Sequence, residues 1–226
     1  MKTTLLLFAL VLISHNCFSQ KQINMELKKE LDAILLRDQA IREFFDTEVT
    51  EKRKDTLAQL LNYPKAAIRW NMMDEIDSVN LVSVEQIISK YGYPGKTMVG
   101  EPTNTAVFYV IQHAPSKISM YYPLIEQAGK TGELPFKYVA MMLDRKLNSE
   151  KKEQVYGTQV FMYMINNPKT GKKKPFEYVV PIKDAKNVNK RRKAAGFDTT
   201  VEENALKFGI TYKAYTLEEI AQIIKR

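Results

Sequence analysis

Apolar residues recur at helical spacing along most of this chain. Leu27, Leu31, Ile34, Ile41 and Phe45 fall on one face of a helix predicted over residues 23–45. A second helix is expected over 51–61, ending ahead of Pro64, because the residue before a proline disfavours helical backbone. A third is expected from about 65 to 75, carrying Ile68, Trp70, Met72 and Met73. Ser83 with Gln86 reads as a capping box opening a helix with Val84, Ile87, Ile88 and Tyr91 inside it, closed by Gly92 and the turn Tyr93-Pro94-Gly95. Residues 105–111 are apolar nearly all round, which predicts a buried helix. Helices over 118–127 and 136–147 follow.

Then the rhythm changes. Residues 155–165 and 176–182 are rich in β-branched and aromatic side chains, and the stretch between them carries Asn166-Asn167-Pro168-Lys169-Thr170-Gly171. That pattern predicts a β-hairpin with a long basic loop, its first strand running into a buried apolar half from Val160 onward. Helices resume near 186–195, 200–208 and 216–225, and Thr200/Glu203 and Thr216/Glu219 are further capping boxes. The expected fold is mainly α: one multi-helix domain over residues 20–226 with a small antiparallel β-hairpin in its C-terminal third.

The first residues change the picture of what reaches that fold. Lys2, the apolar run from Leu5 to Ile13 and the pattern Cys17-Phe18-Ser19 before Gln20 make residues 1–19 a cleavable signal peptide. The apolar run is shorter than the roughly 20 residues a membrane span requires. Secretion or release to a periplasm is therefore expected, with a mature chain starting at Gln20 and no later transmembrane segment. Cleavage also removes Cys17, the single cysteine, and one of the two histidines, leaving His113. Disulfides, thiol nucleophiles and Cys/His zinc sites are thereby excluded from the mature chain, and neither a metal nor another cofactor is expected.

Charge narrows the partners. The chain has 34 Lys and Arg against 26 Asp and Glu. Ten of the basic residues lie between Lys169 and Lys193, against Glu177 and Asp184. This run is either an anion-facing surface for envelope material or a solvated lysine-rich loop and helix. It has no interleaved aromatic motif, so nucleic acid is not an expected partner.

Four places put polar groups where the pattern asks for apolar ones. Asp38 stands on the stripe of Leu31, Ile34 and Ile41 and needs a compensating partner, for which Arg42 is one turn away. The two form a local ion pair or line a cavity. His113 closes the apolar helix beside Gln112, either capping its last turn or supplying the one imidazole for acid–base work. Asp144-Arg145 ends the apolar run Tyr138-Val139-Ala140-Met141-Met142-Leu143, with both solvated or one turned inward. Gln154, Tyr156, Thr158 and Gln159 lead polar groups into the first strand around Gly157, as a water-facing edge or as part of a cleft.

Taken in order, Asp38-Gln39-x-x-Arg42, Tyr91-Gly92-Tyr93-Pro94, Gln112-His113-Ala114, Asp144-Arg145 and Gln154-x-Tyr156-Gly157-Thr158-Gln159 resemble a bacterial domain family of unknown function whose members are often exported. Asp184, Val188, Asn189, Arg191, Arg192 and Gly196 fit its C-terminal pattern, and Tyr93 stands where Trp is usual. The resemblance implies that the polar outliers belong together, and it brings no activity. The site expected from all this is a polar cleft. Asp38, Arg42, Arg145, Gln154, Tyr156, Thr158 and Gln159 would bind a small anionic or polar ligand, and His113 and Asp144 are the candidates for acid–base catalysis if the protein is a hydrolase. A buried structural network is the third possibility.

Overall fold

The computed structural model describes residues 22–167 and 170–225. The expected signal segment and its cleavage point before Gln20 lie outside the described residues, as do Pro168 and Lys169 of the hairpin loop. The described chain is helical but for one hairpin. Its helices are α1 (Met25–Phe44), α2 (Glu51–Leu61), α3 (Met72–Tyr91), the short α4 (Lys96–Val99), α5 (Ala106–Gln112), α6 (Pro115–Lys130) and α7 (Phe136–Ser149). Strands β1 (Val160–Asn166) and β2 (Lys173–Val179) follow, then α8 (Val188–Ala194), α9 (Val201–Leu206) and α10 (Leu217–Ile224). Among the described residues no helix is long and apolar enough to cross a membrane.

The helix starts follow local chemistry. Asn24 caps α1 through the Leu27 N–H, Thr50 caps α2 through that of Arg53, and Pro115 sits at the start of α6. Both C-terminal capping boxes form, Thr200 with Glu203 and Thr216 with Glu219. The third does not. Residues 65–67 make a 3-10 turn, and α3 runs unbroken through Ser83, whose hydroxyl donates back to the Val79 carbonyl. A Ser-x-x-Gln pattern in a helix interior has that i−4 carbonyl within reach, so the side chain needs no exposed N–H to cap.

Three apolar clusters hold the elements together. The largest packs Leu27, Leu31 and Ile34 of α1 against Val84 and Ile87 of α3 and residues 106–111 of α5. α6 and α7 close on it, and their approach is tight at Gly129, where an added Cβ would lie 2.3 Å from Val139 Cγ2. The second cluster joins Ile41 and Phe44 at the end of α1 to Leu57 and Leu61 of α2. The third gathers Val179, Ile182, Val188, Val201 and Ile210 from β2, α8, α9 and the segments between.

The hairpin departs from expectation in two ways. β1 pairs antiparallel with β2 from Val160 opposite Val179 to Asn166 opposite Lys173, so the strand begins at 160 and not at 155. Residues 155–159 are a loop, and the side-chain alternation expected there does not apply. Nor is β1 buried: Phe161, Met162, Tyr163 and Met164 are all exposed. A two-stranded ribbon has two faces to cover and no second sheet to cover them.

Candidate functional site

The loop that replaces the expected strand is held by its own backbone. Gln154 is fully buried, and its side chain does the work of a neighbouring strand. Its Oε1 accepts from the Gln159 N–H at 2.9 Å, while its Nε2 donates to the carbonyls of Gln159 (3.0 Å) and Val180 (2.7 Å). The loop is thus pinched shut at both ends by one amide. Inside it the N–H groups of Val155 (2.8 Å), Tyr156 (3.0 Å) and Thr158 (3.0 Å) all donate to the carboxylate of Asp144, as does the Thr158 hydroxyl at 2.9 Å. Asp144 has no exposed surface. Burial raises its carboxyl above the ordinary value, against the loop donors that favour the charged form.

The carbonyls of the same loop point the other way, onto α8. Arg191 Nε donates to the Val155 carbonyl at 3.0 Å and Arg192 Nη1 to that of Tyr156 at 2.8 Å. Arg192 is 1% exposed; it also donates to the carbonyl and hydroxyl of Thr199 and lies over the Phe197 ring. Gly157 sits in the middle at φ +68°, and a Cβ there would meet Val201 Cγ2 at 2.6 Å and Ile182 Cδ1 at 2.8 Å. Only glycine fits both the backbone angle and the space.

A cleft of about 560 Å³ opens beside this clamp. Tyr109 of α5, Tyr138 and Arg145 of α7, and Thr158 and Gln159 of the loop share its lining with Arg192. Its charge is lopsided. Lys137, Arg145, Arg192 and Lys207 line it against a single carboxylate, Asp198. Arg192 is consumed by the clamp, but Arg145 is not: it makes no hydrogen bond or ion pair among the described residues, and its Nε is buried without a partner. Burial lowers the pKa of that guanidinium from its ordinary value.

Asp38, Arg42 and His113 form a second polar group, outside the cleft's lining. Asp38 is fully buried on α1, where Arg42 Nη1 donates to its Oδ1 at 3.1 Å and Gln39 Nε2 to its Oδ2 at 2.6 Å. Burial pushes its carboxyl up to about 6, partly offset by Arg42. Arg42 then reaches α3, where its Nη2 donates to both carboxylate oxygens of Asp77, at 2.7 and 2.8 Å. The expected local pair is therefore a three-residue bridge between helices. His113 is half-buried at the end of α5, its Nε2 without a partner; burial and the nearby charges of Arg42 and Arg145 pull its pKa down to about 3.

Of the residues expected to form one site, Arg145, Thr158 and Gln159 reach the cleft, whereas Asp144 and Gln154 stand behind it as its frame. Tyr156 contributes its backbone to the frame and sets its ring 6.2 Å from that of Phe197. Asp77, Tyr109, Tyr138 and Arg192 were not expected. Two of them were marked in the pattern: Asp77 falls on the α3 stripe Met73, Asn80, Val84, Ile87, and Arg192 on the face of Val188 and Ala195, each a charge on an apolar face as Asp38 is. Among the described residues no three His, Cys, Asp or Glu side chains are grouped as metal ligands would be.

The model of the family of unknown function DUF6624 matches residues 25–217, most of the chain, and the chain belongs to that family. No curated protein and no solved structure matches it.

Proposed function

We propose that this member of the family binds a small anionic ligand in the cleft beside the 154–159 loop, with Arg145 as its anchor. The observation that carries this is the unpaired state of Arg145. A guanidinium presents five donors in a planar fork, and a half-buried one without a carboxylate, carbonyl or hydroxyl partner is uncommon unless something else supplies the acceptor. A carboxylate or phosphate would. Lys137 and Lys207 add attraction, the hydroxyls of Tyr109 and Tyr138 and the amide of Gln159 offer neutral hydrogen bonds, and the clamped loop fixes Thr158 and Gln159 in place before any ligand arrives.

A hydrolase is the weaker alternative. Asp144 spends its oxygens on the loop, and a histidine titrating near 3 is a feeble base at neutral pH. Binding is tested by calorimetry with orthophosphate, citrate and glucose 6-phosphate on the wild type and on Arg145→Ala. Saturable binding of one of them, lost in the variant, is expected. Binding unaltered by the variant would refute the assignment.

We also propose export, from the signal pattern of residues 1–19, with residues 38–42, 91–94, 112–114, 144–145 and 154–159 as the family's marks in a bacterial protein. Lys172, Lys173, Lys174, Lys183, Lys186 and Lys190 are exposed and support an envelope-facing anion surface, whereas Arg191 and Arg192 of the same run turn inward. N-terminal sequencing of exported protein should begin at Gln20.

A further inference from the structure

Asn80 of α3 is 1% exposed, and neither its Nδ2 nor its Oδ1 has a hydrogen-bond partner. A buried amide left unpaired at both ends is less stable than leucine in the same place, so its presence asks for a partner. Asn80 lines a half-open cavity of about 380 Å³ between α1, α2 and α3, separate in its lining from the Arg145 cleft. Two charged side chains line it as well. Arg37 of α1 has a buried Nε without a partner and joins no ion pair among the described residues; Glu75, in the first turn of α3, joins none either. Leu61, Met72 and Ile76 make an apolar stretch of the wall, beside Asn62 and Tyr63.

These features select a ligand by chemistry. A cation and an anion that share a cavity without pairing leave each free for an opposite charge. Between them stands an amide with donor and acceptor side by side, whose complement is another amide. An apolar wall takes a side chain, and the volume is of the order that holds a small molecule. We infer that this cavity binds a short zwitterionic peptide, its carboxylate on Arg37, its ammonium on Glu75 and its peptide group on Asn80. Water filling the cavity is the rival occupant, and it would show no preference for the peptide's charged ends.

Titration of the full chain with the dipeptide alanyl-leucine, followed by calorimetry and by amide chemical shifts, tests this. Saturable binding is expected, with shifts at the α2–α3 junction. N-acetyl-alanyl-leucine amide, which lacks both charges, should bind about tenfold or more weakly, as should the dipeptide to Asn80→Leu and to Arg37→Gln. Arg37 is only half-buried and unpaired, so Arg37→Gln carries the test even if Asn80→Leu folds poorly. Arg145→Ala should leave the affinity unchanged. Absence of saturable binding to the wild type overturns the inference, as does equal affinity for the blocked peptide or for Arg37→Gln. Loss of binding in Arg145→Ala would move the peptide to the other cleft and overturn it too.

Discussion

Asp144 and Arg192 hold opposite ends of one residue. The carboxylate takes the N–H of Tyr156 at 3.0 Å, and the guanidinium donates to its carbonyl at 2.8 Å. One comes from α7 and the other from α8, so the loop between them fastens the helical body to the C-terminal third. Its stability rests on buried charges satisfied by backbone, where losing one side strands several groups at once.

Asp144→Asn should therefore destabilise the protein by about 3–5 kcal/mol. The amide keeps the shape but turns an NH₂ toward backbone N–H donors. Urea denaturation monitored by circular dichroism measures it, and a loss under about 1 kcal/mol would mean that the carboxylate is dispensable to the loop.

Gly157→Ala meets two obstacles together, a left-handed backbone and contacts to Val201 and Ile182 shorter than any real Cβ tolerates. A loss of about 2 kcal/mol or more is expected in the same assay. Gly132, also at positive φ but with nothing within 4 Å, is the control, and alanine there should be clearly milder.

Arg42→Ala and Arg145→Ala should separate scaffold from site. The first leaves buried Asp38 and its neighbour Asp77 without their shared cation and should cost about 3–5 kcal/mol. The second removes a charge that has no partner, so thermal stability should hold or rise, while anion binding disappears. Equal, large destabilisation by both would make Arg145 part of the structural network.

Acid should act through His113. Its folded pKa of about 3 lies below the ordinary 6.5, so the unfolded chain takes the proton first. Its stabilising contribution is complete above about pH 6.5 and is lost as the pH falls toward 3. Asp38 opposes this, since its carboxyl is raised from 3.8 to about 6 and the folded state takes that proton first. Its contribution is present at low pH and lost as the pH rises through 6. The displacement of His113 is the larger, so the wild type should weaken on acidification. His113→Gln should make that fall shallower. Melting curves across this range on both proteins give the comparison, and parallel profiles would refute it.

Much of the fold was legible because helices announce themselves within a few residues. The stripe of Leu27, Leu31 and Ile34, the capping threonines at 200 and 216, and the switch to aromatic and β-branched residues before Val160 are local patterns read from neighbours. Asp38 was recognisable for the same reason, as a charge at an apolar position. The start of α3 was not, because Ser83 carries a cap's sequence inside a helix whose register is fixed by packing.

What the sequence by itself determined is therefore the set of elements, the helical class and the presence of misplaced polar residues at Asp38, His113, Asp144 and Gln154. Their partners were decided only in three dimensions. Asp144 meets backbone N–H groups, which every residue carries and no pattern distinguishes; Arg42 meets Asp77 thirty-five positions away. Whether a buried charge is frame or site depends on whether its donors and acceptors are already taken. Asp144 and Arg192 are taken, Arg145 and Asn80 are not, and only the packing of distant helices against one another makes that difference.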